Sequence, residues 1–316
     1  MKELFRKILF GEALIREYAT VRIGEEIRER VYLRKNAGDA PRDVSRTHWV
    51  LCLDPLVFGI WTETTPDNVG DGISHWLYFR DGPCKPGEDP ERQAVAVAEL
   101  EFMDRIEEAG GCLLLFRLVS CRVHHIAAFK TRLLYSKYYR KPGLSFDKLK
   151  AFATAYSYPR KVRLVSFRGE NYYNIFPMDL LGDIPRAGRF VFGLRHSNVA
   201  LSRIIAEKKI VVSEVPSGSK EMIYQLGSHH SSVPPPVAEL PFAVIPSPAF
   251  GFWVPAWAES CKEIRILRTM DLGSHMLMWG EPVGELLLNP VSDHLHHIHF
   301  LLYLHQLKKR SGYLPA

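Results

Sequence analysis

Between residues 160 and 290 the chain is cut into short runs rich in Val, Ile, Phe and Tyr: KVRLVSF, NYYNIFPM, RFVFGL and KIVVSEV, then PFAVIPS, FGFWVPAW, KEIRILRTM, MLMWGEPV and GELLLN. β-Branched and aromatic residues in runs of this length, bounded by Gly, Pro, Asp and Ser, form strands. Only HSNVALSRIIAEK and the stretch after Val215 interrupt them with a helical look. Many short strands with one or two helices predict an antiparallel barrel or sandwich. Alternating strand–helix–strand units are absent, and no G-x-G-x-x-G supports a dinucleotide fold.

The first 150 residues read differently. RVYLRK and HWVLCLDPLVFGIW are strand-like, the second broken at Pro55, and SHWLYFRDG ends on an Asp-Gly turn signal. DPERQAVAVAELEFMDRIEEAGG opens on Asp-Pro, continues with helix formers and stops at a Gly pair, which predicts a helix. CLLLFRLV follows as a short strand. The Lys-Pro-Gly of YYRKPGLSFDK is the best linker candidate. The expected organisation is an N-terminal α+β domain over 1–148, with no assignable role, and a mainly β domain over 149–316. The N-terminal MKELFRKILFGEALIREY spaces Leu4, Phe5, Ile8 and Leu9 as an amphipathic helix would, packed on the protein or, alternatively, resting on a membrane surface.

Composition narrows the class by exclusion. Hydrophobic residues at 47% and charged residues at 24% are those of a globular protein. A formal charge of +6, from 41 Lys+Arg against 35 Asp+Glu, is spread along the chain, which is weak support for nucleic acid and equally suits a small anionic ligand. Cys52, Cys84, Cys112, Cys121 and Cys261 are odd in number and never spaced C-x-x-C, against a zinc ribbon or disulfide framework. No signal peptide or apolar run long enough to span a membrane is evident. A cytoplasmic protein with small-molecule partners, without nucleic acid or membrane, is the expectation.

Several stretches carry polar groups that could do chemistry. Cys121 with His124 and His125 does not make a tetrahedral set, since adjacent strand residues point to opposite faces. His294, His296, His297, His299 and His305 align at most in pairs on a helix or a strand, so no metal site is expected. LRHSNVALSRII ends a strand and opens a helix, with Ser197 or Asn198 as N-cap. Backbone N–H groups converge there with Arg195 and the Ser197 hydroxyl, which suits a phosphate. The alternative is that Ser197 only caps and Arg195 is only a surface charge. In DLGSHMLMWGE a Gly-Ser-His step sits against an apolar run, so His275 stands at a strand mouth, as a structural cap or a working group.

Taken in order, RLVSFRGENYYNIFPMDLLGDI, RFVFGLRHSNVALSRIIAEKKIVVSEVP and DLGSHMLMWGEPV resemble the flavin reductase-like family of FMN-binding split β-barrels, from about residue 155 to the C-terminus. RSGYLPA is similar to the Gly-Tyr ending of that family. The resemblance implies that Asn174, Ile175, Phe176, Pro177, Met178 and Asp179 lay their backbone along the flavin, and that Arg195, His196, Ser197 and Asn198 surround its phosphate. Pro177-Met178-Asp179 departs from the family pattern, and an acidic Asp179 near a phosphate would repel it. Ser213, Gly227, Ser228 and His229 border the flavin in this reading, or belong to a polar loop. His275 would meet the nicotinamide or the flavin edge as a positioning residue. The resemblance further implies FMN, or FAD, as cofactor, NAD(P)H as co-substrate, a homodimer with flavin near the subunit contact, and hydride transfer through the flavin without an acid or base from the protein. The rival reading is a non-catalytic flavin-binding or protein-interaction module.

Overall fold

The computed structural model describes residues 17–24, 26–36, 38–63, 73–85, 87–309 and 312–316. The amphipathic helix expected at the N-terminus falls on residues outside them. From the N-terminus come β1 (Tyr18–Ile23), β2 (Arg30–Arg34), β3 (Arg42–Asp43), β4 (His48–Leu53), β5 (Leu56–Thr62), β6 (His75–Arg80), β7 (Ala94–Glu108) and β8 (Gly111–Val123). Helices α1 (Ala128–Leu134) and α2 (Phe146–Ala155) follow. The second half holds β9 (Arg160–Lys161), β10 (Arg163–Arg168), β11 (Tyr173–Met178), β12 (Leu181–Ile184), β13 (Arg189–Arg195), α3 (Leu201–Glu207) and β14 (Lys209–Glu214). It continues with α4 (Lys220–Gln225), β15 (Val244–Pro246), β16 (Trp253–Pro255), β17 (Ser260–Asp271), β18 (His275–Leu287), β19 (His294–His299), α5 (Phe300–Lys309) and β20 (Leu314–Pro315).

The protein is mostly β. One seven-stranded sheet runs β3-β2-β6-β7-β8-β5-β4, a second runs β11-β10-β14-β17-β18-β13-β12, and a four-stranded sheet runs β20-β1-β19-β9. Every pairing is antiparallel, as the turn-punctuated sequence predicts. The curled second sheet is a half-barrel with α3 at one end. One core cluster takes Phe58, Phe79 and Phe116 from the first sheet and Phe176, Phe190 and Phe192 from the second. Another joins Trp49, Trp61 and Leu113 to Val191, Leu277 and Trp279.

Two sequence expectations need correction. The helix expected from Asp89 to Gly111 is strand β7, preceded by a single 3-10 turn at Pro90–Gln93. Val95 and Val97 alternate with alanines there, and pairing on both sides with β6 and β8 overrides the helix propensity of Ala, Glu and Arg. The Gly110-Gly111 pair that looked like a helix stop is the hairpin turn, with φ of +85° and +157°. MLMWGEPV and GELLLN are one continuous strand, β18, in which Val283 bulges between the paired residues Pro282 and Gly284. The linker candidate closes a turn between Lys141 and Leu144 and enters α2, whose N-cap Ser145 accepts the Lys148 N–H.

Candidate functional site

A cleft of about 450 Å³ opens where the second sheet meets β1, β19 and the β4–β5 turn. Its floor is the end of β11 and the entry to β12, Pro177 to Leu180, and the end of β13, Gly193 to Arg195. Ser197 and Asn198 follow from the β13–α3 connection, and His275 stands opposite Arg195 in the β13–β18 ladder. The connection after β14 adds Ile223, Tyr224, Gly227, His230 and Ser231. Tyr18, Tyr156 and His297 form an aromatic wall: the Tyr18 and Tyr156 rings lie 4.7 Å apart, and Tyr18 stacks with His297 at 5.9 Å and 24°. The pairing of Thr20 and Arg160 to either side of His297 brings these segments together.

The sequence candidates divide by position. Pro177, Met178, Asp179, Arg195, Ser197, Asn198 and Gly227 line the cleft, as does His275. Asn174, Ile175 and Phe176 lie further back on β11, fully buried, where the Asn174 amide donates to the Tyr172 hydroxyl and the His229 carbonyl. Ser213 is buried within β14 opposite Leu164 and Cys261. His196 turns to Asp271 at 3.1 Å, away from the cleft lining. His229 donates to or accepts from nothing in the cleft; its Nδ1 lies 2.9 Å from the Ile175 carbonyl. Its neighbour His230 faces the cleft instead. Asn198 Nδ2 donates to His230 Nδ1 at 2.9 Å, which leaves Nε2 protonated to donate to the Pro177 carbonyl at 2.7 Å. This pins the end of β11 to the β13–α3 connection. Helix α3 itself starts later than expected: Ala200 is the cap residue, and Asn198 accepts the Ala200 N–H in a local side-chain turn.

The charges at the site are unequally compensated. Asp179 lies 2.7 Å from His297 Nδ1, and His297 Nε2 lies 2.7 Å from the Tyr224 hydroxyl. Burial works against the Asp179 charge, but the hydrogen bonds from His297 and Tyr156 outweigh it and hold the carboxyl below its ordinary range. Asp179 therefore stays a carboxylate at neutral pH, hydrogen-bonded to His297 in the cleft wall, and its negative charge remains there. Arg195 is exposed at the cleft and has no carboxylate partner among the described residues. His275 is 1% exposed. Burial, then the charges of Arg195 and His196, push its pKa down to about 4, so the ring is neutral at pH 7. Its Nδ1 is 2.8 Å from the Ser274 hydroxyl, while Nε2 has no hydrogen-bond partner among the described residues. A buried ring nitrogen without a partner, in a cleft wall, is a ready contact for a ligand.

Gly273, with φ +109°, makes the turn before His275, and a Cβ there would lie 2.6 Å from Pro55 Cδ. The Asp54 N–H donates to Ser274 Oγ at 3.0 Å, and the Ser274 N–H donates to the Asp54 carbonyl at 2.8 Å. The first half of the chain thus holds the turn that aims His275. Tyr18, Leu53, Tyr156, Tyr224 and His230 were not singled out from sequence, and His297 was weighed only as one of five clustered histidines for a metal. The His229-His230 pair, within a Gly-Ser-rich stretch, and the His-rich run around His297 carried local signals.

The fold and the cleft together define a mainly β protein with a half-barrel sheet and an aromatic-walled cleft. No protein-family model and no curated protein matches the chain. Among solved structures it is similar to an FMN-binding protein from Thermus thermophilus with bound 1-cyclohex-2-enone (19% identity, TM-score 0.37, covering 41% of this chain and 71% of that one). It is also similar to an NADH:FAD oxidoreductase from Streptomyces globisporus C-1027 (18%, 0.40, 45% and 83%). A third match is the flavin reductase component of a bacterial two-component tryptophan halogenase (11%, 0.40, 46% and 95%). By their names, all three are flavin-binding or flavin-reducing proteins. At such identities and TM-scores they add nothing about residues or activity, which rest on the geometry of this site.

Proposed function

We propose that the cleft binds FMN and that the protein is an NAD(P)H-dependent flavin oxidoreductase. The observation that carries this reading is the combination, in one cleft, of an aromatic wall with a guanidinium and a neutral imidazole nitrogen that have no protein partner among the described residues. Arg195 and the Ser197 hydroxyl would take the phosphate, with a charge-assisted contact contributing about 1.5–3 kcal/mol. Tyr18 and His297 offer flat faces to a planar ring. The backbone from Met178 to Leu180 would border it, since Pro177 has no N–H to donate. His275 Nε2 would bond a ring or co-substrate atom and hold it in place without exchanging a proton. A bound flavin would supply the hydride-accepting chemistry, and the chain's part is to orient and shield it. The volume is within the range of ordinary cofactor clefts.

The test is direct. FMN titrated into the protein should show saturable quenching of flavin fluorescence, and NADH or NADPH should be oxidised in a flavin-dependent way. Absence of both sinks the reading. Binding without oxidation favours the second reading, a non-catalytic flavin-binding module, which the lack of any acid–base pair at His275 equally allows.

A further inference from the structure

The two seven-stranded sheets have the same topology. Reading β3-β2-β6-β7-β8-β5-β4 against β11-β10-β14-β17-β18-β13-β12, each strand of the first sheet matches one of the second in both chain order and spatial order. The match extends to residues. Val57-Phe58-Gly59 of β5 and Val191-Phe192-Gly193 of β13 hold equivalent places, with Gly59 opposite Leu115 and Gly193 opposite Leu277. The long hairpins β7–β8 and β17–β18 each carry two bulges, at Met103 and Val119 in one and at Leu267 and Val283 in the other. The members of each pair have the same separation along the chain, and all four are exposed apolar side chains.

The two sheets also meet through equivalent strands. β4 packs on β12, β13 and β18, and the shared cluster is drawn from β4, β5, β7 and β8 on one side and from β12, β13 and β18 on the other. Use of the same patch by both members marks a two-fold pair. The contact is close: a Cβ on Gly193 would lie 1.8 Å from the Leu51 carbonyl oxygen, and one on Gly182 would lie 1.6 Å from Trp49 Nε1.

The polar site is not duplicated. In the register set by the Val-Phe-Gly match, the pair Arg195 and His275 corresponds to Trp61 and Leu113. Both are core residues, and Trp61 stacks on Trp279 at 6.4 Å. The connection over 215–259, which brings Tyr224 and His230 to the cleft, corresponds to the much shorter 81–93. We propose that residues 30–123 are a second copy of the half-barrel whose own site has become core, and which acts as the built-in partner wall for the one remaining site. One chain, rather than a pair, is then the complete ligand-binding unit, with Leu53 and the Asp54–Ser274 contact as that copy's contribution.

The ligand part of this inference rests on the FMN reading; the pairing part does not. Light scattering on the full chain should give the mass of one chain, 36.1 kDa, with and without FMN. FMN titration should saturate at one per chain. Leu53→Trp, which fills the cleft from the first half, and Arg195→Ala, which removes the cation from the second, should each weaken FMN binding about tenfold or more. Co-expressed and co-purified, the two variants should bind no better than either alone. A two-chain mass, two FMN per chain, or recovery of affinity in the mixture overturns the proposal. Should the parent chain bind no FMN but run as one chain, the flavin reading fails and the fused pair stands; should Leu53→Trp fail to fold, mass and stoichiometry of the parent chain still decide.

Discussion

At the scale of single residues, the cleft separates binding from positioning. Arg195 has no ion-pair partner among the described residues, so its removal leaves no buried charge stranded and reads the ligand contact cleanly. Arg195→Ala should weaken FMN binding by about 10- to 100-fold, the equivalent of 1.5–3 kcal/mol. Equal dissociation constants for variant and parent would remove Arg195 from the phosphate role. His275 predicts a different pattern. With its pKa near 4 it neither gives nor takes a proton at pH 7, and Nε2 offers one neutral contact. His275→Ala should retain flavin within a few-fold while slowing NAD(P)H oxidation by up to about tenfold, and the rate should stay flat with pH between 6.5 and 8. A rate that follows a titration in that window would show that His275 acts as an acid or base.

At the scale of elements, close backbone approach decides what the sheets tolerate. Gly193→Ala places a Cβ against the rigid Leu51 carbonyl and should cost about 1–3 kcal/mol in urea unfolding, whereas Gly218→Ala, with nothing within 4 Å, should be neutral within about 0.5 kcal/mol. Equal losses at both positions would mean that the sheets do not meet as closely as described. The same element scale explains what could be read in advance. The strands after residue 160 were legible because each is a short β-branched run between turn residues. β7 was not, because AVAVAELEFMDRIEEA is built from helix formers and only its two long-range partners make it a strand. Arg195, Ser197 and His275 were legible as local polar steps at strand ends, whereas Pro177 and Asp179 came only from the family resemblance. Tyr18, Tyr156 and His297 were not legible as cleft residues, since three segments distant in sequence reach the cleft only through the β1–β19–β9 pairing. The repeated strand order was hidden for a related reason: the copies share a topology and a Val-Phe-Gly step, while the polar residues that would have signalled a second site are gone.

At the scale of the whole molecule, the buried histidines tie stability to pH. His48, His125, His275, His296 and His299 are all buried, and burial pushes each pKa down, to about 4 for His275 and about 3 for His296 and His299. Each is held by hydrogen bonds suited to the neutral ring: His48 Nδ1 lies 2.8 Å from the Val44 carbonyl while Arg160 donates to its Nε2, and His299 Nδ1 accepts the Leu301 N–H. Above pH 6.5 these rings are neutral in both folded and unfolded chains and contribute no pH dependence. As pH falls below 6.5 the unfolded chain binds protons that the folded chain refuses, so stability falls, and it goes on falling until the folded pKa values near 3–4 are reached. Each such histidine should cost about 1.4 kcal/mol between pH 7.5 and pH 5.5. Glu214, held down to about 2 by Arg163 and Lys161 against the opposing effect of burial, adds a further loss below about pH 4.5. Glu29 works in the other direction, because burial raises its pKa and favours the folded chain when it is protonated. The histidines outnumber it in the upper window, so urea unfolding at pH 5.5 should show a stability several kcal/mol below that at pH 7.5. Equal stability at the two pH values would mean that the rings are hydrated or protonated in the folded chain, and that the core around β1, β19 and His48 is more open than the packing described above.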